Sequence, residues 1–132
     1  MHVVGLQIRA SSNYEPTVSG IWGPAIGGGS SSLWVDSCII RPGTATYKGS
    51  GINAGTYKSV LRMWNSVIYG FTNGLEISST TGTSYLYSNT LSINTTGLTL
   101  NGAGTKSVKN CLFSGNTTDV SGTISDSYCA VS

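Results

Sequence analysis

One short pattern returns along this chain at an almost fixed spacing, and that repeat limits the fold more than any other feature. Its copies are Gly51-Ile52-Asn53-Ala54, Gly74-Leu75-Glu76-Ile77, Gly97-Leu98-Thr99-Leu100 and the weaker Asp119-Val120-Ser121-Gly122. Their starts lie 23, 23 and 22 residues apart. An earlier copy, Gly5-Leu6-Gln7-Ile8, stands 46 residues before the first of these, which is two periods or one period with a large insertion. A unit this short cannot bury an apolar face alone. Units must stack on one another, and stacked units of fixed length make a solenoid.

A second pattern falls between these copies. It reads Asp36-Ser37-Cys38-Ile39-Ile40, Asn65-Ser66-Val67-Ile68-Tyr69, Asn89-Thr90-Leu91-Ser92-Ile93, Asn110-Cys111-Leu112-Phe113 and Asp126-Ser127-Tyr128-Cys129. Aligned on Asn or Asp, the positions two before are Trp34, Met63, Tyr87, Val108 and Ile124. The positions two after are Cys38, Val67, Leu91, Leu112 and Tyr128. Both sets are apolar or aromatic, and alternation of this kind is the signature of strands. This alignment predicts one inward file through Val67, Leu91 and Leu112, with Trp34 in the core and Trp64 outward. It also predicts a structural ladder of Asp36, Asn65, Asn89, Asn110 and Asp126, each side chain bonding its own turn and the next unit.

Composition supports stacked strands. Only 9% of residues are charged, 18 are Gly, and apolar residues make up 39%. No stretch carries the 3.6-residue apolar stripe of a helix. The seven basic residues are scattered and the net charge is +2, so a basic stripe for nucleic acid is missing. No apolar run approaches the 18 residues of a spanning helix. The three cysteines, Cys38, Cys111 and Cys129, have no metal-type spacing and leave at least one thiol unpaired.

The Gly-Leu-x-Ile strand, followed about ten residues later by Asn-Ser/Thr-x-Ile, resembles the repeats of the pectin-lyase-like superfamily. The likeness covers residues 33–130, and residues 1–8 match a strand in mid-coil. The resemblance implies an all-β, single-stranded right-handed parallel β-helix of about five coils, 22–23 residues each. An antiparallel sandwich or jelly roll is the alternative. Residues 1–132 read as a single β-helix domain, with 9–32 and 41–50 as loop insertions. The chain opens inside a strand motif and stops at Tyr128-Cys129-Ala130-Val131-Ser132, as expected of part of a longer protein whose ends are incomplete or uncapped.

Enzymatic members of that superfamily carry clustered acidic residues. The outward column of the Gly-Leu strand is Gln7, Asn53, Glu76, Thr99 and Ser121, with a single carboxylate. No catalytic residue, cofactor or metal ligand set is therefore assigned here. Candidate ligand contacts fall mainly in the two insertions. Tyr14, Trp22 and Tyr47 could stack on sugar rings, while Arg41 and Lys48 reach hydroxyls or acidic sugars; Trp64 is an outward platform. The sequons Asn94-Thr95-Thr96 and Asn116-Thr117-Thr118 occur in successive repeats.

The expectation is a structural and binding segment of an extracellular, cell-surface or viral protein. Its expected partner is a polysaccharide or cell-surface glycan, with no nucleic acid and no membrane span. A homotrimer or end-to-end association would suit such a stack. The alternative is part of a polysaccharide lyase or glycoside hydrolase whose catalytic residues lie mostly outside this chain.

Overall fold

The computed structural model describes residues 2–10, 21–23, 32–43, 49–54, 60–78, 82–124 and 126–132. Among these the chain is all β, and the sheets are parallel. No helix of the described residues is long and apolar enough to cross a membrane.

Strands recur in threes through four circuits, with one long strand standing for two in the fifth, and each pairs with the strand one circuit away. The first circuit supplies β1 (His2–Val4), β2 (Gln7–Ala10) and β3 (Ile21–Gly23). Next come β4 (Ser32–Asp36), β5 (Ile39–Pro42) and β6 (Ser50–Ala54). They are followed by β7 (Val60–Trp64), β8 (Val67–Tyr69) and β9 (Asn73–Ile77), then β10 (Thr83–Tyr87), β11 (Thr90–Ser92) and β12 (Thr96–Leu100). The last are β13 (Thr105–Ser114), β14 (Thr118–Ser121) and β15 (Asp126–Val131).

Three faces result. Face one stacks β1, β4, β7, β10, the first half of β13 and β15. Face two stacks β2, β5, β8, β11 and the second half of β13, on which the end of β15 continues. Face three is a five-stranded sheet of β3, β6, β9, β12 and β14. Because β13 runs through both, faces one and two are a single ten-stranded sheet bent at a corner.

Each face sends apolar side chains inward in continuous files. On face one these are Val3, Val35, Met63, Leu86 and Val108; on face two, Ile40, Ile68, Leu91 and Phe113. On face three, Ile52, Leu75 and Leu98 form one file with Val120, and Ala54, Ile77 and Leu100 the other. Nearly all are fully buried. A Val, Leu, Ile, Phe or Met side chain removed from water contributes about 1.5–3 kcal/mol, and continuous files give every circuit such contacts on both sides.

The Gly-Leu-x-Ile register holds for β6, β9, β12 and β14. Its glycines have a packing cause. A Cβ on Gly74 would stand 2.6 Å from the Gly97 carbonyl oxygen and 2.8 Å from the Asn94 amide nitrogen. The copy at Gly5-Leu6-Gln7-Ile8 belongs elsewhere. Its Gln7 pairs with Ile39 on face two, and Gly5 sits at the corner with positive φ. The strand stacked on β6 is β3, with Ile21 opposite Ile52. Of the two segments expected as insertions, residues 9–10, 21–23, 32, 41–42 and 50 lie in strands, and much of the remainder lies outside the described residues.

The second pattern is out of register in three circuits, those of Asp36, Asn89 and Asp126. What stacks at the corner between faces one and two is a backbone conformation. Ser37, Asn65, Ser88 and Asn110 all have φ near +50° (49° to 56°). Asn65 and Asn110 occupy this left-handed position, but Asp36 precedes it by one residue and Asn89 follows it by one. Aligning on Asn or Asp therefore slides the Asp36 and Asn89 circuits by one in opposite directions, and a one-residue slip moves every side chain to the opposite face. The expected file of Val67, Leu91 and Leu112 is thus split. Val67 and Leu112 lie outward with Thr90, whereas Leu91 lies inward between Ile68 and Phe113. The expected ladder of Asp36, Asn65, Asn89, Asn110 and Asp126 is split for the same reason. Asp36 stacks on Trp64, Asn89 is buried beside Ser66, and Asp126 pairs with Ser107.

Candidate functional site: an aromatic outer surface on face one

Alternation on face one has a consequence for its outer surface. Leu33, Val35, Leu61, Met63, Ser84, Leu86, Lys106 and Val108 turn inward. The residues between them point to the outer side, where Ser107 alone is buried. Two columns result by register. One is His2, Trp34, Arg62, Tyr85 and Ser107; the other is Val4, Asp36, Trp64, Tyr87, Lys109 and Tyr128. Stacking brings together residues that are distant in sequence.

The rings contact one another edge to face. His2 and Trp34 centroids are 5.4 Å apart, Trp34 and Trp64 6.0 Å, and Tyr85 and Tyr87 6.0 Å. Arg62 lies between two of them, its guanidinium 5.0 Å from the Trp34 ring and 5.8 Å from the Tyr85 ring. Cross-strand aromatic pairs and cation–π contacts each stabilise a sheet by about 0.5–1.5 kcal/mol. Burial is incomplete. Trp34 is 38% exposed and Tyr128 74% exposed, and Trp64, Tyr85 and Tyr87 are half-buried. Ring surface and guanidinium donors therefore remain open to a ligand.

Such a surface has a defined chemistry. The C–H face of a pyranose packs on an aromatic ring, and Arg offers five donors for hydroxyls or carboxylates. Asp36 adds an acceptor at one side, where its carboxylate takes hydrogen bonds from Ser37 Oγ at 3.0 Å and Asn65 Nδ2 at 3.4 Å. Tyr87 and Ser107 share a hydrogen bond of 3.3 Å.

The structure places the expected contact residues apart. Trp64 alone lies on the aromatic surface, outward as its parity predicts. Arg41 lies in β5 on face two, half-buried, and its buried Nε has no hydrogen-bond partner among the described residues. Trp22 lies in β3 on face three, its backbone paired with Asn53. Tyr14, Tyr47 and Lys48 lie outside the described residues. Trp34 is corrected from core to outer surface by the register shift. Tyr87, expected in the same apolar column as Trp34, is likewise outward, and Arg62 and Tyr85 were not singled out by the sequence pattern. One signal could have found them: Leu33/Val35 and Leu61/Met63 alternate with Trp34/Asp36 and Arg62/Trp64, and the charged member marks the outward set.

Other candidate groups resolve into structure. Glu76 on face three is held by Ser50 Oγ and Asn53 Nδ2, both at 3.2 Å. Asn94 is only 3% exposed, and its Nδ2 donates to Asn116 Oδ1 at 3.1 Å and Ile68 O at 3.4 Å. Asn116 Nδ2 donates to Leu91 O and to Asp119 Oδ1, both at 2.9 Å. The first sequon is therefore a buried corner amide, closed to a glycosyl group in the folded chain. Among the described residues no three His, Cys, Asp or Glu side chains gather as metal ligands. Comparison with known proteins gives no match to a family model, a curated protein or a solved structure.

Proposed function

We propose that this chain is a segment of a right-handed parallel β-helix, similar in its repeats to the pectin-lyase-like superfamily, and that it binds glycans on the outer surface of face one. The parallel pairing of each strand with the strand one circuit away supports the coil. Right-handedness follows from the strong preference of parallel crossovers for that hand. The observation that carries the binding role is the solvent-facing group of Trp34, Trp64, Tyr85 and Tyr87 around Arg62. A structural and binding part of an extracellular, cell-surface or viral protein fits this surface.

Tryptophan fluorescence during titration with neutral and acidic polysaccharides tests the reading. At least one glycan should shift the emission. Changing Trp34→Ala and Trp64→Ala together should weaken binding by at least about tenfold, because each truncated aromatic anchor removes on the order of 1 kcal/mol or more. Asn53→Ala and Thr99→Ala on face three should leave affinity unchanged. Absence of binding across the panel, or equal affinity in the double variant, contradicts the proposal. New reducing or unsaturated ends in the incubated glycan would replace binding with depolymerisation.

A further inference from the structure

The corner between faces one and two ends in two cysteines on neighbouring strands, and we propose that Cys111 and Cys129 are a modification site: an oxidisable pair that closes a disulfide and staples β15 to β13. Register brings the pair together. Lys109 stands opposite Tyr128, and Leu112 stands opposite Ala130. Asn110 and Cys111 on β13 are therefore matched by Cys129 alone, a bulge that places the two thiols at the same bend. Adjacent strands lie about 4.8 Å apart, within the roughly 4.4–6.8 Å that a disulfide spans between Cα atoms.

The sulfurs share surroundings. Cys111 Sγ donates to the Lys109 carbonyl at 3.4 Å and the Leu86 carbonyl at 3.5 Å, while Cys129 Sγ donates to the Val108 carbonyl at 3.7 Å. Val108 and Lys109 are consecutive, and Cys129 lies close enough to Cys111 to help raise its thiol. Cys38 stands in the same column, but Ser66 and Asn89 separate it from Cys111. Three strand spacings put it roughly 14 Å away, out of reach.

Access differs between the partners. Cys129 is half-buried and Cys111 is buried, so a small reagent meets Cys129 first. The oxidant is a low-molecular-weight disulfide such as oxidised glutathione. The Cys129 thiolate attacks one of its sulfurs, the reagent's S–S bond breaks, and one thiolate leaves and takes up a proton. Cys111 then loses its proton to solvent and attacks Sγ of Cys129, expelling the second small thiol. Two protein thiols are oxidised by two electrons, and one small disulfide is reduced to two thiols. Burial pushes the Cys111 thiol up to about 11, with Asn89 on one side and Cys129 on the other as the polar groups facing it. The second step is therefore slow and quickens in alkali.

The product would tie residues 18 apart in sequence and fix β15, whose strand pairing is to β13. The test treats the whole chain with oxidised glutathione at about pH 8, quenches with acid, alkylates and maps the peptides by mass. A Cys111–Cys129 cross-linked peptide is expected, with Cys38 alkylated only after unfolding. The unfolding midpoint should rise by roughly 5–10 °C and fall back on reduction. Cys38→Ser should behave the same, and Cys129→Ser should leave Cys111 unoxidised. A repeat at about pH 9.5 should close the bond faster, since more Cys111 thiolate is present. Stable glutathione on Cys129 beside a free Cys111 at both pH values overturns the proposal, as does Cys38 in the cross-link.

Discussion

The corner between faces one and two and the corner between faces two and three perform the same task with different residues. Each begins with a left-handed residue: Ser37, Asn65, Ser88 and Asn110 at the first, and Gly70, Ile93 and Gly115 at the second. Each continues with a buried residue whose backbone N–H is capped by a side chain from the next circuit. At the first corner, Ser66 Oγ accepts from Cys38 N at 3.1 Å, and Asn89 Oδ1 accepts from Ser66 N at 3.0 Å. At the second, Asn94 Oδ1 accepts from Phe71 N at 3.0 Å, and Asn116 Oδ1 accepts from Asn94 N at 2.9 Å. The amide donors return to carbonyls of the preceding circuit, as Asn89 Nδ2 does to Met63 O at 2.9 Å, whereas Ser66 Oγ donates to Trp64 O of its own circuit at 2.7 Å. The second ladder stays amide through Asn94 and Asn116, whereas the first passes into thiols at Cys111 and Cys129. The geometry of a bend is therefore the repeated unit, and residue type follows it loosely.

The largest effect that separates the corners is steric. Gly74→Ala should destabilise by about 3 kcal/mol, because its new methyl meets the Asn94 amide and the Gly97 carbonyl. Denaturant midpoints measure this; a wild-type midpoint would remove the close approach from the account. Next come the amides. Asn94→Ala and Asn89→Ala should each cost about 1–3 kcal/mol by leaving a buried N–H and a carbonyl unmatched. A loss at one corner without the other would break their equivalence.

The thiol end of the first ladder supplies a pH effect. The Cys111 thiol rises from 9.0 to about 11 in the fold. Above pH 9 the unfolded chain releases this proton while the folded chain keeps it. Stability is therefore fully present below pH 9 and declines up to about pH 11, by on the order of 2 kcal/mol. The difference between wild type and Cys111→Ser across that window isolates the effect, and parallel pH profiles would refute it. The smallest change is a gain. Ile93 is β-branched with φ of 54°, where its counterparts Gly70 and Gly115 carry no Cβ. Ile93→Gly should stabilise by about 1 kcal/mol through relief of that strain, read as a higher melting temperature.

How much of this was legible in sequence follows from the same corners. Face three could be read directly, because Gly51, Gly74 and Gly97 are fixed by steric need and keep their register. The alternation of apolar residues was also legible. The first corner was not, since Asp36 precedes the left-handed Ser37 and Asn89 follows the left-handed Ser88, whereas Asn65 and Asn110 are themselves left-handed. A left-handed residue adds one position without changing hydropathy, so pattern alone cannot show which side of it turns inward. That single ambiguity assigned Trp34 to the core and hid the aromatic surface around Arg62. The contacts expected of Tyr14, Tyr47 and Lys48 lie outside the described residues, and Trp22 and Arg41 sit on other faces.

One pair of neighbouring substitutions tests the central claim, that the left-handed corner decides which residue faces in. Leu112 is 40% exposed and Phe113 is fully buried, one residue further from Asn110. Thermal melting of Leu112→Lys should stay within a few degrees of wild type, about 1 kcal/mol or less. Phe113→Lys should abolish the cooperative transition, because a buried unpaired ammonium cannot be accommodated. Loss of folding in Leu112→Lys with a normal melt in Phe113→Lys would contradict the account.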